Sequence, residues 1–484
     1  MSGDMRSAVA SQIPTATSSP RGPALPSAVI ELCGALLISA AVLMGAPRHT
    51  YPVRNISAEL LMLAIMLPLG YWCISTHVRR RRPDLLPSAR RLYLVAFLIR
   101  VIALQVVVWG SLAIAPLDQG HLGDDSLGHG FIIRSVMVGL GRPDSHWAQD
   151  AMVYGQGTKL VRSTRAAGVQ TLSFSGWLWV MGGISRATGY STIAANLAMI
   201  TIGSFFLIQC WIFLQGATSQ RTASIVALWM LLSPDQIVLS CGLHKDFATA
   251  IVLLYICEFG SNECIHRPRA TILGIAPVIG WIALFRPQLA PLIAFLYAAM
   301  AIRRRLRPNW ERWATIAILM AIVVAAYIKR DPVSAMMGWR ARFDVALLAN
   351  LWACPILKLS VNAFYENPNI IGMADLLASL IWPLVVGLLA MGVLLQRRLQ
   401  LRSGNGPVLL VLCWQAIMAS SGFGLTHRFR VPLDPLIIAY GLEALVAARR
   451  QPEQLRRALA AVAALVALAI YLVQVGPVLI RVGR

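Results

Sequence analysis

The sequence predicts an all-helical, polytopic membrane protein with about 13 transmembrane helices. Three observations lead there. Hydrophobic residues make up 57% of the chain and charged residues only 13%. Apolar stretches of about 20 residues recur along most of the chain, each long enough to cross a hydrocarbon core of about 30 Å. The period-2 alternation of a membrane barrel is absent, and a lipid-embedded backbone that cannot form a closed barrel must satisfy its hydrogen bonds within helices. A mean hydropathy of +0.65 excludes a soluble globular domain.

In chain order, residues 1–27 are rich in Ser, Pro and Ala and read as a disordered tail. The apolar segment that follows is too long and too far from the start for a typical signal peptide, so it reads as a retained anchor. Residues 28–91 hold two spans, roughly 28–46 and 60–76, and a basic loop. The next span, 92–116, leads into a large polar loop at 117–170. Segment 171–188 carries Trp177 and Trp179 among Gly and Ser, and is expected to be an interfacial or re-entrant helix. About five spans then fit between 190 and 302, and others start near Trp313, Ala374, Pro407, Val431 and Ala458. A second polar loop covers 329–373. Residues 442–484 add a basic loop and a last span to the central region 92–441.

The net charge of +22 does not form a nucleic-acid-binding domain, because the arginines fall in short runs between spans. The runs are Arg79 to Arg82 with Arg90 and Arg91, Arg303 to Arg305 with Arg307 and Arg312, Arg397, Arg398 and Arg402, and Arg449, Arg450, Arg456 and Arg457. Such runs mark cytoplasmic loops and favour anionic headgroups. Both large loops then face the opposite, extracytoplasmic side, as expected for a multi-pass protein of the cell inner membrane. The eight cysteines show no CxxC and no metal-ligand spacing. Cys241 and Cys354 both fall toward the outer side, which leaves a disulfide between them open.

With that parity, the polar residues that break the charge rule gather on the outer face. Asp124 and Asp125 stand together in the first outer loop, in a chain with only 21 acidic residues. Adjacent carboxylates raise each other's proton affinity, so one suits the role of general base. The plainer reading is a solvated turn or a helix cap, for which Gly-Asp-Asp-Ser is good material. His129 follows closely. A second group is His244, Lys245 and Asp246, ending a run broken by Ser233-Pro234. A third is Arg286, followed by Pro287. The fourth is His427, Arg428 and Arg430, before Val431. Guanidinium and ammonium groups on this face suit phosphate oxygens; the plainer reading of each is an interfacial side chain reaching to headgroups. The second loop adds Trp339, Trp352 and Tyr365, aromatic surfaces that suit sugar rings or an interface. No P-loop, GxGxxG, HExxH or GxSxG motif occurs, which leaves nucleotide and serine-hydrolase chemistry without support.

Three features together resemble the GT-C superfamily of multi-span glycosyltransferases, whose members include protein O-mannosyltransferases and lipid A aminoarabinose and galacturonic acid transferases. They are Asp124-Asp125 in the first outer loop, the Ser233-Pro234 helix ending at Lys245-Asp246, and Arg428-Phe-Arg-Val-Pro-Leu-Asp-Pro435. The resemblance covers roughly 90–441. It departs at Gly128-His129, where relatives often carry an aromatic residue, and at Val169 to Ser173, where they often carry a Pro-Pro-Leu-Tyr-like segment. What it implies is an inverting transfer from a polyprenyl-phosphate sugar to an extracytoplasmic glycolipid, glycan or protein. Asp124 or Asp125 would be the base, and Lys245, Arg286, Arg428 and Arg430 would hold the donor phosphate. His129, His244, Asp246 and His427 would support them. The one cofactor candidate is a divalent cation, Mg or Mn, with Asp124 and Asp125 as ligands. Three other readings compete: a polysaccharide polymerase or O-antigen ligase using an undecaprenyl-pyrophosphate glycan, a lipid or sugar transporter, and an accessory subunit with a degenerate site.

Overall fold

A computed structural model describes residues 25–45, 56–114, 192–241 and 434–448, with shorter helical pieces at 180–188, 247–255, 387–388 and 452–463 described in part. All regular structure among these residues is helical. The elements are α1 (Leu25–Met44), α2 (Ile56–Arg81), α3 (Leu86–Ile114), α4 (Thr192–Ala217), α5 (Gln220–Leu232), α6 (Pro234–Cys241) and α7 (Asp434–Ala448). A 3-10 turn at Pro83–Leu85 joins α2 to α3. Three helices among the described residues are long and apolar enough to cross a membrane, at Ser27–Met44, Ile56–Arg81 and Ile193–Ala217. The α5–α6 pair qualifies together as a further, broken span, bent by 58°. The chain is thus a membrane protein by the length and composition of its helices.

The breaks have a common cause. A residue before proline is pushed out of the helical region by the proline ring. Arg82 precedes Pro83 and sits at φ −143°, ψ 72°; Ser233 precedes Pro234 and is extended at φ −65°, ψ 123°. Each proline then starts the next element at a position where its missing N–H costs nothing. At Ser233 the backbone stays satisfied: its N–H donates to the Trp229 carbonyl at 2.7 Å, and its carbonyl accepts from Ile237 at 3.0 Å. The start of α5 is set by Ser219, whose hydroxyl accepts from the Thr222 N–H at 3.3 Å.

The α2 helix outruns its expected span, continuing through His77 to Arg81. Its last turn is anchored. The His77 ring meets Phe205 edge-on at 5.8 Å, and the Arg81 guanidinium lies over Tyr255 at 5.3 Å. Beside it, Arg90 of α3 donates to Ser75 Oγ at 2.9 Å and covers the Tyr71 ring at 5.2 Å. Arg91 pairs with Glu31 of α1 at 3.1 Å. The arginine run therefore clamps one end of the bundle as well as bearing its charge.

Those contacts fix helix directions. The C-terminal turn of α2 lies beside α3's first turns, so these helices are antiparallel. Thr201 of α4 meets Gly70 and Phe205 meets His77, so α4 runs with α2. After the turn at Ser219, Glu443 Oε1 of α7 accepts the Ser219 N–H at 2.6 Å, so the C-terminal part of α7 lies where α4 ends and α5 begins.

Two predictions arise here. Glu443→Ala leaves the partly buried Ser219 N–H without its acceptor, a loss of about 1–3 kcal/mol. Thermal unfolding of the purified variant should show a lowered midpoint, and an unchanged one would mean water replaces the carboxylate. Asp84 accepts two bonds from Arg82, at 3.1 and 2.9 Å, and this hydrogen bonding holds its carboxyl below the ordinary value of 3.8. A depressed carboxylate adds stability that is present above the unfolded value and lost as pH falls through the folded one, below about pH 4. Both side chains are well exposed, so the contribution is small. Asp84→Asn should leave the neutral-pH midpoint unchanged, as differential scanning fluorimetry would register.

The core is built where α2, α3 and α4 cross. Gly70 lets them meet: a Cβ there would lie 2.7 Å from Tyr93 Cζ and 2.8 Å from Thr201 Cγ2. Tyr93, fully buried, donates its hydroxyl to the Leu67 carbonyl at 3.3 Å. Gly441 of α7 allows an equally close approach to the backbone of Leu388. By contrast, α1 presents Val29, Ile30, Leu37 and Ile38 outward, the surface a peripheral span offers to lipid.

Candidate functional site

The candidate site that the described residues contain lies where α3 meets the broken span. Within α3, Arg100 is ten residues beyond Arg90, about 15 Å along the helix axis. Its side chain is 0% exposed. Nε donates to Ser240 Oγ at 2.7 Å, and Nη1 donates to the Ala96 carbonyl of its own helix at 3.2 Å. In return, Cys241 Sγ donates to the Arg100 carbonyl at 3.2 Å. Nη2 is buried with no acceptor. No carboxylate among the described residues forms an ion pair with Arg100.

The local sequence explains how α6 reaches this position. The bend at Ser233-Pro234 turns the second half of the broken span, and α6 then buries Asp235, Gln236, Ser240 and Cys241. The Ser240 hydroxyl also donates to the Ile237 carbonyl at 2.8 Å, which leaves its lone pairs for Arg100. Gly203 of α4 completes the contact: a Cβ there would collide with the Ser240 side chain. Next to it, Ser204 is fully buried and its hydroxyl has no partner. Asn196 lies two turns earlier on the same face as Gly203 and buries an unpartnered Oδ1.

Electrostatically, Arg100 is the expensive element. Arginine stays protonated in proteins, so burial cannot be relieved by losing the charge. An uncompensated buried ion costs on the order of several kcal/mol, even after relaxation. Two neutral acceptors, Ser240 and the Ala96 carbonyl, offset part of that. The sequence signal for this residue was plain: one arginine inside the run from Leu92 to Val108. An ionisable group at such a position marks function more often than structure.

The ten residues expected from the sequence are Asp124, Asp125, His129, His244, Lys245, Asp246, Arg286, His427, Arg428 and Arg430. All lie outside the described residues. Described helices border two of their groups, with α6 ending shortly before His244 and α7 starting shortly after Arg430. The two outer loops, 117–170 and 329–373, are likewise outside, and segment 171–188 is helical at its described residues 180, 183, 184 and 187. Cys241 is a free thiol buried in the helix interface, where it donates to the Arg100 carbonyl; Cys354 lies outside the described residues. Among the described residues no three His, Cys, Asp or Glu side chains gather to hold a metal.

No protein family, curated protein or solved structure matches this chain.

Proposed function

We propose that this chain is an integral membrane glycosyltransferase that moves a sugar, with inversion, from a polyprenyl-phosphate donor to an extracytoplasmic acceptor. The observation that carries the reading is the carboxylate doublet Asp124-Asp125, placed beyond a span in a chain poor in acids. In this mechanism one of the pair takes the proton of the acceptor hydroxyl, and the oxygen attacks the anomeric carbon. The bond to the lipid phosphate breaks, and negative charge grows on the leaving phosphate. Cations already in place stabilise it most at that moment, the role given to Lys245, Arg286, Arg428 and Arg430. His129, His244, Asp246 and His427 support these groups. The membrane is the cell inner membrane, with the site on its outer side, and the acceptor is an envelope glycolipid, glycan or protein.

Deletion of the gene in its host, followed by restoration, tests this. Mass spectrometry of envelope glycolipids and glycans should show loss of one hexose, pentose or uronic acid mass, regained with the wild-type gene. Loss of chain length instead would favour a polymerase or ligase.

A transporter is the second reading, and one observation favours it. Transporters place charged residues beside broken helices inside the membrane, and Arg100 bonds Ser240 on the second half of the broken α5–α6 span. It predicts that variants at Asp124 and Asp125 restore the envelope fully.

A further inference from the structure

We infer that Arg100 is the base of an oxyanion site inside the helix bundle, one that takes the phosphate group of a lipid-borne ligand where α3 meets the C-terminal end of α6. Four observations carry this. The guanidinium is wholly enclosed and cannot shed its charge. No carboxylate among the described residues neutralises it. Its Nε and Nη1 are committed to Ser240 and Ala96, while Nη2 is buried without an acceptor. Beside Gly203, which meets Ser240, the Ser204 hydroxyl is buried without a partner.

A purely structural clamp would not need an arginine. The Ser240 contact uses one N–H of the five that arginine offers, and a neutral donor would make it without the charge. What a guanidinium adds is a fixed edge of donors matched to phosphate oxygens. Arg100 also lies about 15 Å along α3 from the arginine-rich end, behind apolar helices. An anion reaching it with an apolar tail stays in a favourable medium, whereas a free ion must cross that layer bare. This site stands on its own geometry and does not require the transferase reading; it is measured as binding, without turnover.

The test is thermal unfolding of the full chain in neutral detergent, with farnesyl phosphate, farnesol and inorganic phosphate as probes. Farnesyl phosphate should raise the wild-type midpoint in a concentration-dependent way, because a ligand of the native state stabilises it by mass action. Farnesol should not. Arg100→Met should abolish the shift. Arg100→Lys keeps the charge but lacks the fork and should shrink the shift, which decides the matter if the Met variant cannot be purified folded. A shift by inorganic phosphate equal to that by farnesyl phosphate, and lost in the variants, would support the oxyanion site and make a free anion its ligand. The inference is overturned if no phosphate probe shifts the wild type, or if the shift survives both substitutions.

Discussion

The Asp124→Asn/Asp125→Asn double variant should restore little or none of the sugar mass lost on gene deletion, while accumulating in the membrane at the wild-type level. Asparagine keeps the size and most hydrogen bonds of aspartate but cannot take a proton at neutral pH. Removing a general base costs about 10²–10⁴-fold in rate. In membrane vesicles supplied with donor and acceptor extracts, turnover should fall by that factor. Donor binding should fall far less, because the phosphate is held by Lys245, Arg286, Arg428 and Arg430 in this mechanism. The single variants then assign the base: the one that loses turnover alone is the residue. Normal turnover by the double variant would end the carboxylate-base mechanism. Full recovery of the envelope by that variant would shift the balance to the polymerase, ligase or transporter readings.

Gly70→Leu should cripple folding, the largest stability effect expected among the described helices. Its new Cβ alone would meet Tyr93 and Thr201 at under 3 Å, before the rest of the side chain is placed. Neither neighbour can yield easily. Tyr93 is enclosed and bonded to the Leu67 carbonyl, and Thr201 bonds the Leu197 carbonyl at 3.0 Å. Overpacking of this kind costs about 1–3 kcal/mol and more when backbone must move. Here backbone must move, because three helices share the contact. Size-exclusion profiles and unfolding midpoints in detergent would show the loss. Gly34→Ala is the matched control. Nothing lies within 4 Å of its added Cβ, and alanine favours a helix interior by about 1 kcal/mol over glycine, so it should be neutral or stabilising. Equal damage from both substitutions would place the sensitivity in the glycines' backbone freedom instead of in the crossing.

Reading the chain for hydropathy located α1, α2 and α3 to within about a helical turn or two at each end, since burial in lipid imposes a run length that few other local features mimic. Proline chemistry likewise announced the break at Ser233, because the steric conflict is with the adjoining residue. Local rules end at side chains that act over distance. Cys241 looked like an outer-surface thiol by its place near a span's end, yet it faces Arg100, 141 positions earlier in the chain. Arg100 itself was visible as an arginine among apolar residues. Whether such a residue reaches to a headgroup or turns inward depends on what its neighbours leave open, and Gly203 and Ser240 belong to other helices. The residues expected on the outer face, Asp124, Asp125, His129, His244 to Asp246, Arg286, His427, Arg428 and Arg430, lie outside the described residues.

Composition, run length and the placement of proline were enough to predict a helical membrane protein and the break in the α5–α6 span, because each depends on the medium or on an adjacent residue. The enclosure of Arg100, its bond to Ser240 and its unfilled Nη2 edge came only from the packing of α3, α4 and α6. A charge becomes costly, and therefore informative, only when three separate segments of chain close around it and exclude water.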